Sequence, residues 1–171
     1  MRGFLVFLAV VALGGGAVLV ARDTSTEPPA PRSSPAPAAV VTAADASLPT
    51  ITVYKSPTCG CCGSWIEHLK AEGFTVEVED VVDLAAVKTR FGIPGELGSC
   101  HTGVIGDYVV EGHVPAADLK RFLAEAPAAA GLAVPGMPLG SPGMEVPGQP
   151  GQPYQVLAFA RDGTTEVFAQ H

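Results

Sequence analysis

The chain has 171 residues and a formal net charge of −7, with 17 acidic against 10 basic side chains. This acidic balance argues against binding to nucleic acid and against docking on anionic lipid. A solvated acidic surface is its ordinary explanation. The chemistry therefore has to be sought in the four cysteines and in the organisation of the chain.

The N-terminus is apolar. Residues 1–21 begin with one methionine and one arginine, and residues 3–21 carry no charge. A stretch of this length can cross a bilayer once, and it also has the layout of a secretory signal peptide. Because Leu19 stands where a small residue is expected before cleavage after Ala21, we favour an uncleaved membrane anchor over a signal peptide. Either form predicts export.

Residues 22–50 are rich in proline, alanine, serine and threonine. Such a composition buries too little apolar surface to offset the entropy lost on ordering, so it predicts a disordered linker. The folded domain is predicted at residues 51–171, a normal size for one domain.

Helix and strand patterns alternate in the folded region. Periodicity and capping residues predict the order β-α-β-α-β-β-α. The predicted elements begin, in turn, at Ile51, Cys62, Phe74, Asp83, Thr102, Tyr108 and Pro115. Strand–helix–strand units favour right-handed crossovers and parallel strands. This order predicts an α/β, thioredoxin-like fold with a mixed central sheet and flanking helices.

Residues 127–153 interrupt this alternation with seven prolines and six glycines. This composition predicts a Pro/Gly/Met-rich loop without helix or central strand. A loop of this length is usually functional or disordered. Residues 154–170 then predict a C-terminal β-hairpin that turns at 162–163 and attaches the end of the loop to the domain.

Three cysteines, Cys59, Cys61 and Cys62, lie within four positions, after a strand and at the start of a helix. Unpaired N–H groups and the helix dipole stabilise a thiolate there, which is the form that attacks disulfides and binds metal. Cys59 and Cys62 form the C-x-x-C signature of thioredoxin-like redox proteins. Cys61 could be a resolving thiol or a third ligand, and an inert disulfide scaffold would need Cys100 as a fourth partner.

Cys100 and His101 immediately precede the third predicted strand. Thioredoxin-like proteins carry a cis-proline at this position, facing the active-site cysteines. A thiolate and an imidazole in its place point away from ordinary disulfide exchange, and both could approach the turn between Cys59 and Cys62.

Met137 and Met144 lie seven residues apart in the Pro/Gly-rich loop. They are either apolar residues that hold the loop down or thioethers that close over a soft metal. Thiolate, thioether and imidazole together select Cu(I), with zinc as the main competitor. On its own, His113 indicates a capping or surface residue. His171, the last residue, is predicted to be frayed.

Four motifs, at residues 54–69, 99–104, 111–123 and 131–145, resemble in that order the exported bacterial C-x-C-C family linked to copper resistance. This family, CopG-type, was long filed as a domain of unknown function. The resemblance implies a thioredoxin-like fold, a periplasmic setting and copper bound near the C-x-C-C turn. It matches the first three cysteines directly. The other candidate ligands fall inside its remaining motifs: Cys100, His101, His113, Met137 and Met144.

The leading hypothesis is a copper-binding protein of the periplasm, or of the outer face of the cytoplasmic membrane with a tether through residues 3–21. Its clustered thiolates would hold one or more Cu(I) ions, change the oxidation state of copper, and exchange copper with other envelope proteins.

Two alternatives stay open. One is a thiol–disulfide oxidoreductase that uses Cys59 as nucleophile and Cys62 as resolving thiol. The other is a structural zinc or disulfide scaffold for a partner protein, with zinc on Cys59, Cys62, Cys100 and His101.

Overall fold

A computed structural model of the chain describes residues 48–171. The predicted signal peptide or anchor at 1–21 lies outside this range, as does most of the linker predicted at 22–50. Within the described range, no helix is long and apolar enough to cross a bilayer. Leu48, at the end of the predicted linker, already packs against the main hydrophobic core.

Helices and strands follow the predicted order as far as the third helix, and three more strands come after it. The elements are β1 (Ile51–Lys55), α1 (Gly60–Ala71), β2 (Val76–Asp80), α2 (Leu84–Arg90), a 3₁₀ turn (Gly95–Leu97), β3 (His101–Ile105), β4 (Tyr108–Glu111), α3 (Ala116–Glu125), β5 (Gly131–Ala133), β6 (Gln155–Phe159) and β7 (Thr165–Gln170).

The strands form one seven-stranded sheet in the order β2-β1-β3-β4-β5-β6-β7. The pairs β1–β2 and β4–β5 are parallel, and the other neighbouring strands are antiparallel. The predicted α/β fold with a mixed sheet is therefore confirmed. The order of its first four strands is compatible with a thioredoxin-like arrangement.

Side chains on the two faces of the sheet enter two different cores. Successive residues of a strand point to opposite faces. Val110 and Leu132 accordingly join the main core with residues of α1 and α3, whereas Val109 and Ala133 join a second core around Ile93. Helices α1 and α3 thus cover one face, and the segment that follows α2 covers the other.

The prediction that residues 127–153 contain no central strand was wrong. β5 lies between β4 and β6 in the middle of the sheet, and residues 130–134 are all buried. Most of the prolines and glycines come after this strand, so a composition taken over the whole segment concealed it. Gly131 is required within it, because an added Cβ would overlap the carbonyl oxygen of Val109.

The predicted C-terminal hairpin is present as β6 and β7, and it attaches the end of the long loop to β5. His171 beyond it is not frayed, contrary to the prediction. Its backbone N–H and C=O pair with those of Tyr154 at 2.9 and 3.0 Å, and its Nε2 lies 2.6 Å from Asp118 Oδ2.

The register of the sheet determines where the candidate ligands meet. Lys55 pairs with His101, and Thr102 pairs with Glu111. The end of β1, the start of β3 and the end of β4 therefore lie side by side at one end of the sheet. The cysteine turn follows β1, Cys100 precedes β3, and His113 follows β4. All three segments therefore reach the same end of the sheet.

Candidate metal centre

The cysteine turn opens helix α1. Cys59 is its N-cap residue and makes no side-chain capping bond, and Cys61 and Cys62 lie in the first turn. Cys59 and Cys62 are joined by a disulfide, whereas Cys61 and Cys100 are free thiols. The disulfide has to be reduced, which takes two electrons, before its two sulfur atoms can act as thiolate ligands.

Cys100, in the loop before β3, lies against this turn. Its Sγ lies 3.4 Å from Cys62 Sγ and 3.8 Å from Cys61 Sγ, and Cys61 Sγ lies 3.5 Å from Cys59 Sγ. All four sulfur atoms lie within 4.8 Å of one another. We call these four residues the sulfur group.

Two histidines also contact Cys100. Cys100 Sγ lies 3.3 Å from His101 Nδ1 and 3.0 Å from His113 Nε2. Both rings are fully buried, so the prediction of His113 as a capping or surface residue was wrong. We call these three residues the imidazole group. Cys100 belongs to both groups.

A backbone carbonyl orients the ring of His113. Its Nδ1 lies 2.8 Å from the carbonyl oxygen of Pro142. Since a carbonyl can only accept a hydrogen bond, Nδ1 carries the proton and Nε2 presents its lone pair towards Cys100. A bond of this kind is how proteins orient histidines that bind metals.

His101 packs against Trp65, with 4.3 Å between the ring centroids. Burial, together with the positive charge of Lys88 and the unfavourable effect of protonating a second ring beside His113, lowers the pKa of His101 to about 3. Burial also lowers the pKa of His113. Both rings are therefore neutral, which is the form that binds metal. His101 Nε2 is buried and has no hydrogen-bond partner among the described residues.

The thiol of Cys100 has a raised pKa and keeps its proton at neutral pH. Burial, reinforced by the charge and the hydrogen bond of Cys61, raises its pKa to about 12. Cys100 therefore lacks the lowered pKa expected for thiols at the helix start, because it lies on the facing loop. A metal ion that binds here has to displace its proton.

Residues 138–144, which we call the cover segment, close over the start of α1. Gly143 has a φ of +86°, and an added Cβ would lie 2.7 Å from Trp65 N and 2.9 Å from Cys61 O. With Pro142 bonded to His113, the segment contacts both the cysteine turn and the imidazole group.

The two methionines lie differently from the cysteines and histidines. Met137 is 51% exposed, and Met144 is half-buried at the end of the cover segment. The preceding Gly136 donates a hydrogen bond to the carbonyl of Gly98 at 3.0 Å. Met137 therefore stands at the solvent-facing border of the loop that carries Cys100.

The sequence alone did not reveal a buried carboxylate beside this centre. Glu111, at the end of β4, has no solvent-exposed side-chain surface and pairs with Lys88 of α2. A charged residue that ends the otherwise apolar run of residues 108–111 was the available signal.

The fold and site define an α/β protein with a partly buried cysteine–histidine cluster at one end of its sheet. Residues 97–144 match a family described as a protein of unknown function, DUF411. The whole domain is similar to two solved structures of copper resistance protein CopG. Form 1 has a TM-score of 0.68 and 50% sequence identity, over 72% of this chain and 98% of that chain. Form 2 has a TM-score of 0.69 and 49% identity over the same shares.

No curated protein sequence matches the chain. At 50% identity over almost the full length of the solved protein, the chain belongs to the CopG copper-resistance family, as the resemblance of its motifs predicted.

Proposed function

We propose that this protein binds Cu(I) through the thiolates of the sulfur group, assisted by His101 and His113, as part of copper resistance. The observation that carries the proposal is that four sulfur atoms and two neutral, buried imidazoles form two ligand groups that share Cys100. Soft thiolates with imidazole favour Cu(I) over harder ions. Membership of a copper-resistance family supports copper over zinc.

The centre has room in its ligand set for more than one ion. Cys100 is shared by the sulfur group and the imidazole group, and a thiolate can bridge two copper ions. The cover segment excludes water from this centre, and the thioethers of Met137 and Met144 complete its soft border. We expect the loaded state to require all four cysteines reduced.

The pair Cys59 and Cys62 also supplies a redox function. When their thiols form the disulfide, two electrons and two protons leave the sulfurs, and the electrons reduce two Cu(II) ions to Cu(I). The reverse reaction oxidises two Cu(I) ions and restores the dithiol. This exchange couples the oxidation state of copper to the number of available thiolates.

Copper handling is proposed to take place outside the cytoplasm, in the periplasm or at the outer face of the cytoplasmic membrane. The uncharged stretch at residues 3–21 supports export by an anchor or a signal peptide. Oxidising compartments permit the Cys59–Cys62 disulfide. Other copper-handling proteins of the envelope are the proposed exchange partners.

Metal competition tests the proposal. The purified protein is reduced anaerobically and offered Cu(I) and Zn²⁺ together, with a Cu(I) chelator present. We expect Cu(I) to be retained, and the thiols to resist alkylation until the copper is removed. Preferential retention of zinc would favour the structural scaffold instead.

A second function, thiol–disulfide exchange, is favoured by the disulfide between Cys59 and Cys62 at the start of α1. Cys61→Ser separates the two functions. Disulfide exchange needs only Cys59 and Cys62, whereas a centre of four thiolates loses a ligand. Unchanged copper stoichiometry in this variant, with exchange activity that depends on Cys59 and Cys62, would favour the oxidoreductase.

A further inference from the structure

A buried ion pair joins α2 to β4 beside the loop that carries Cys100. The carboxylate of Glu111 contacts Lys88 Nζ, and the two side chains are 0% and 19% exposed. The carboxylate also accepts hydrogen bonds from Thr102 Oγ1 at 2.7 Å and from the Ser99 backbone N–H at 2.6 Å. Three donors therefore converge on one side chain.

Stability alone does not account for this arrangement. Removing a carboxylate from water is costly, and well-packed apolar residues often replace a buried ion pair without loss of stability. The bond from Ser99 also links Glu111 to the metal centre, because Ser99 is the residue before Cys100.

Glu111 connects the two segments that carry the imidazole group. It lies two residues before His113, and through Ser99 it holds the loop that ends in Cys100. The next residue, Gly112, donates its N–H to the carbonyl of His101 at 3.1 Å. The 3.0 Å approach of Cys100 Sγ to His113 Nε2 is built on these contacts.

We propose that Glu111 is a positioning residue of the metal centre, which holds the Cys100 thiol in reach of Cys61, Cys62 and His113 through its bond to Ser99. The Ser99 N–H donates to the same carboxylate oxygen that Lys88 contacts in the salt bridge, and hydrogen bonds of this charge-assisted kind are stronger than neutral ones. The consequence for copper rests on the proposed function, but the placement of Cys100 can be measured without metal.

Glu111→Leu tests the proposal, because leucine removes both acceptor oxygens that Lys88, Thr102 and Ser99 share. The double variant Glu111→Leu/Lys88→Met also removes the lysine charge. It restores charge balance but not the acceptor for Ser99, and it carries the test if the single variant does not fold.

The first readout needs no copper. With the Cys59–Cys62 disulfide intact, diamide oxidises the free thiols of Cys61 and Cys100 to a disulfide and takes up their two electrons and two protons. We expect this coupling to be on the order of tenfold slower in both variants, because it depends on the placement of Cys100. Mass spectrometry identifies the bond.

The second readout is Cu(I) affinity of the reduced full-length protein, measured against a chelator. Loss of a group that orients a metal ligand costs about 10- to 100-fold in affinity, and we expect this loss in both variants. Asp118→Leu is the matched control, since Asp118 on α3 is another buried carboxylate and pairs with Arg121 and His171. It should leave both readouts unchanged.

The outcomes separate this inference from the proposed function. Normal thiol coupling and affinity in Glu111→Leu, or their recovery in the double variant, would overturn the positioning role. Recovery would assign Glu111 to charge balance alone. Slow coupling in both variants of a protein whose wild type retains no Cu(I) would support the positioning of Cys100 and refute copper binding.

Discussion

The sulfur group and the imidazole group share Cys100, but they differ in exposure and in chemistry. Cys59 and Cys61 are half-buried at the start of α1, and the turn holds a disulfide. His101 and His113 are fully buried and neutral. Under the proposed function, the turn would be the part that exchanges electrons and metal, and the buried histidines would be the part that retains the metal.

The largest expected effect comes from removing the residue that both groups share. Cys100→Ser should lower Cu(I) affinity by more than about 100-fold, because loss of a ligand costs more than loss of a group that orients one. Cys61→Ser, which leaves the imidazole group intact, is the comparison. Chelator competition measures both variants, and an equal loss would show that the two groups do not meet functionally at Cys100.

The next effect concerns the cover segment. Gly143→Ala and Gly148→Ala both add a methyl group at a residue with positive φ, +86° and +79° respectively. The added methyl group would meet neighbouring atoms at position 143 and none at position 148. Each variant carries a backbone cost of about 1–3 kcal/mol. We expect Gly143→Ala alone to speed the loss of Cu(I) to a chelator, on the order of tenfold. Equal rates in the two variants would mean that the segment does not shield the copper.

The buried histidines make stability depend on pH. In the folded apoprotein the pKa of His101 is lowered from 6.5 to about 3, so the unfolded chain binds more protons between these values. The free energy of unfolding should therefore be unaffected by this histidine above pH 6.5, and it should fall as the pH decreases from 6.5 towards 3. The slope is at most about 1.4 kcal/mol per pH unit for this histidine.

Urea unfolding of the apoprotein at several pH values measures this dependence, and His101→Gln is the comparison. The variant should lose stability less steeply on acidification. An identical slope would show that His101 is not held neutral by its surroundings.

The smallest effect is expected at the exposed methionine. Because Met137 is 51% exposed, Met137→Leu should change Cu(I) affinity less than Met144→Leu, and by less than about tenfold. Chelator competition on the two variants checks the order. A larger loss for Met137→Leu would place this thioether among the principal ligands.

Local patterns in the sequence predicted much of this fold. Helix α1 and the strand pairs follow from apolar spacing that a single segment carries. β5 was not predicted, because three residues among prolines and glycines are too few to show an alternation of apolar and polar residues. Its pairing with β4 and β6 is also long-range. The cysteines were identified by their spacing, which is local information as well.

Contacts between distant segments could not be predicted in the same way. The burial of His113 depends on Pro142, 29 residues further along the chain. The role of Glu111 depends on Lys88 and on the backbone of Ser99. A histidine or glutamate in a short motif has many ordinary explanations, and tertiary packing alone distinguishes among them.

X-ray absorption at the copper edge, on the reduced and Cu(I)-loaded protein, tests the central claim most directly. The claim that both groups hold copper predicts sulfur neighbours together with imidazole nitrogen, and loss of the nitrogen signal in a His101→Gln/His113→Gln variant. A spectrum with oxygen and nitrogen neighbours but no sulfur would contradict it.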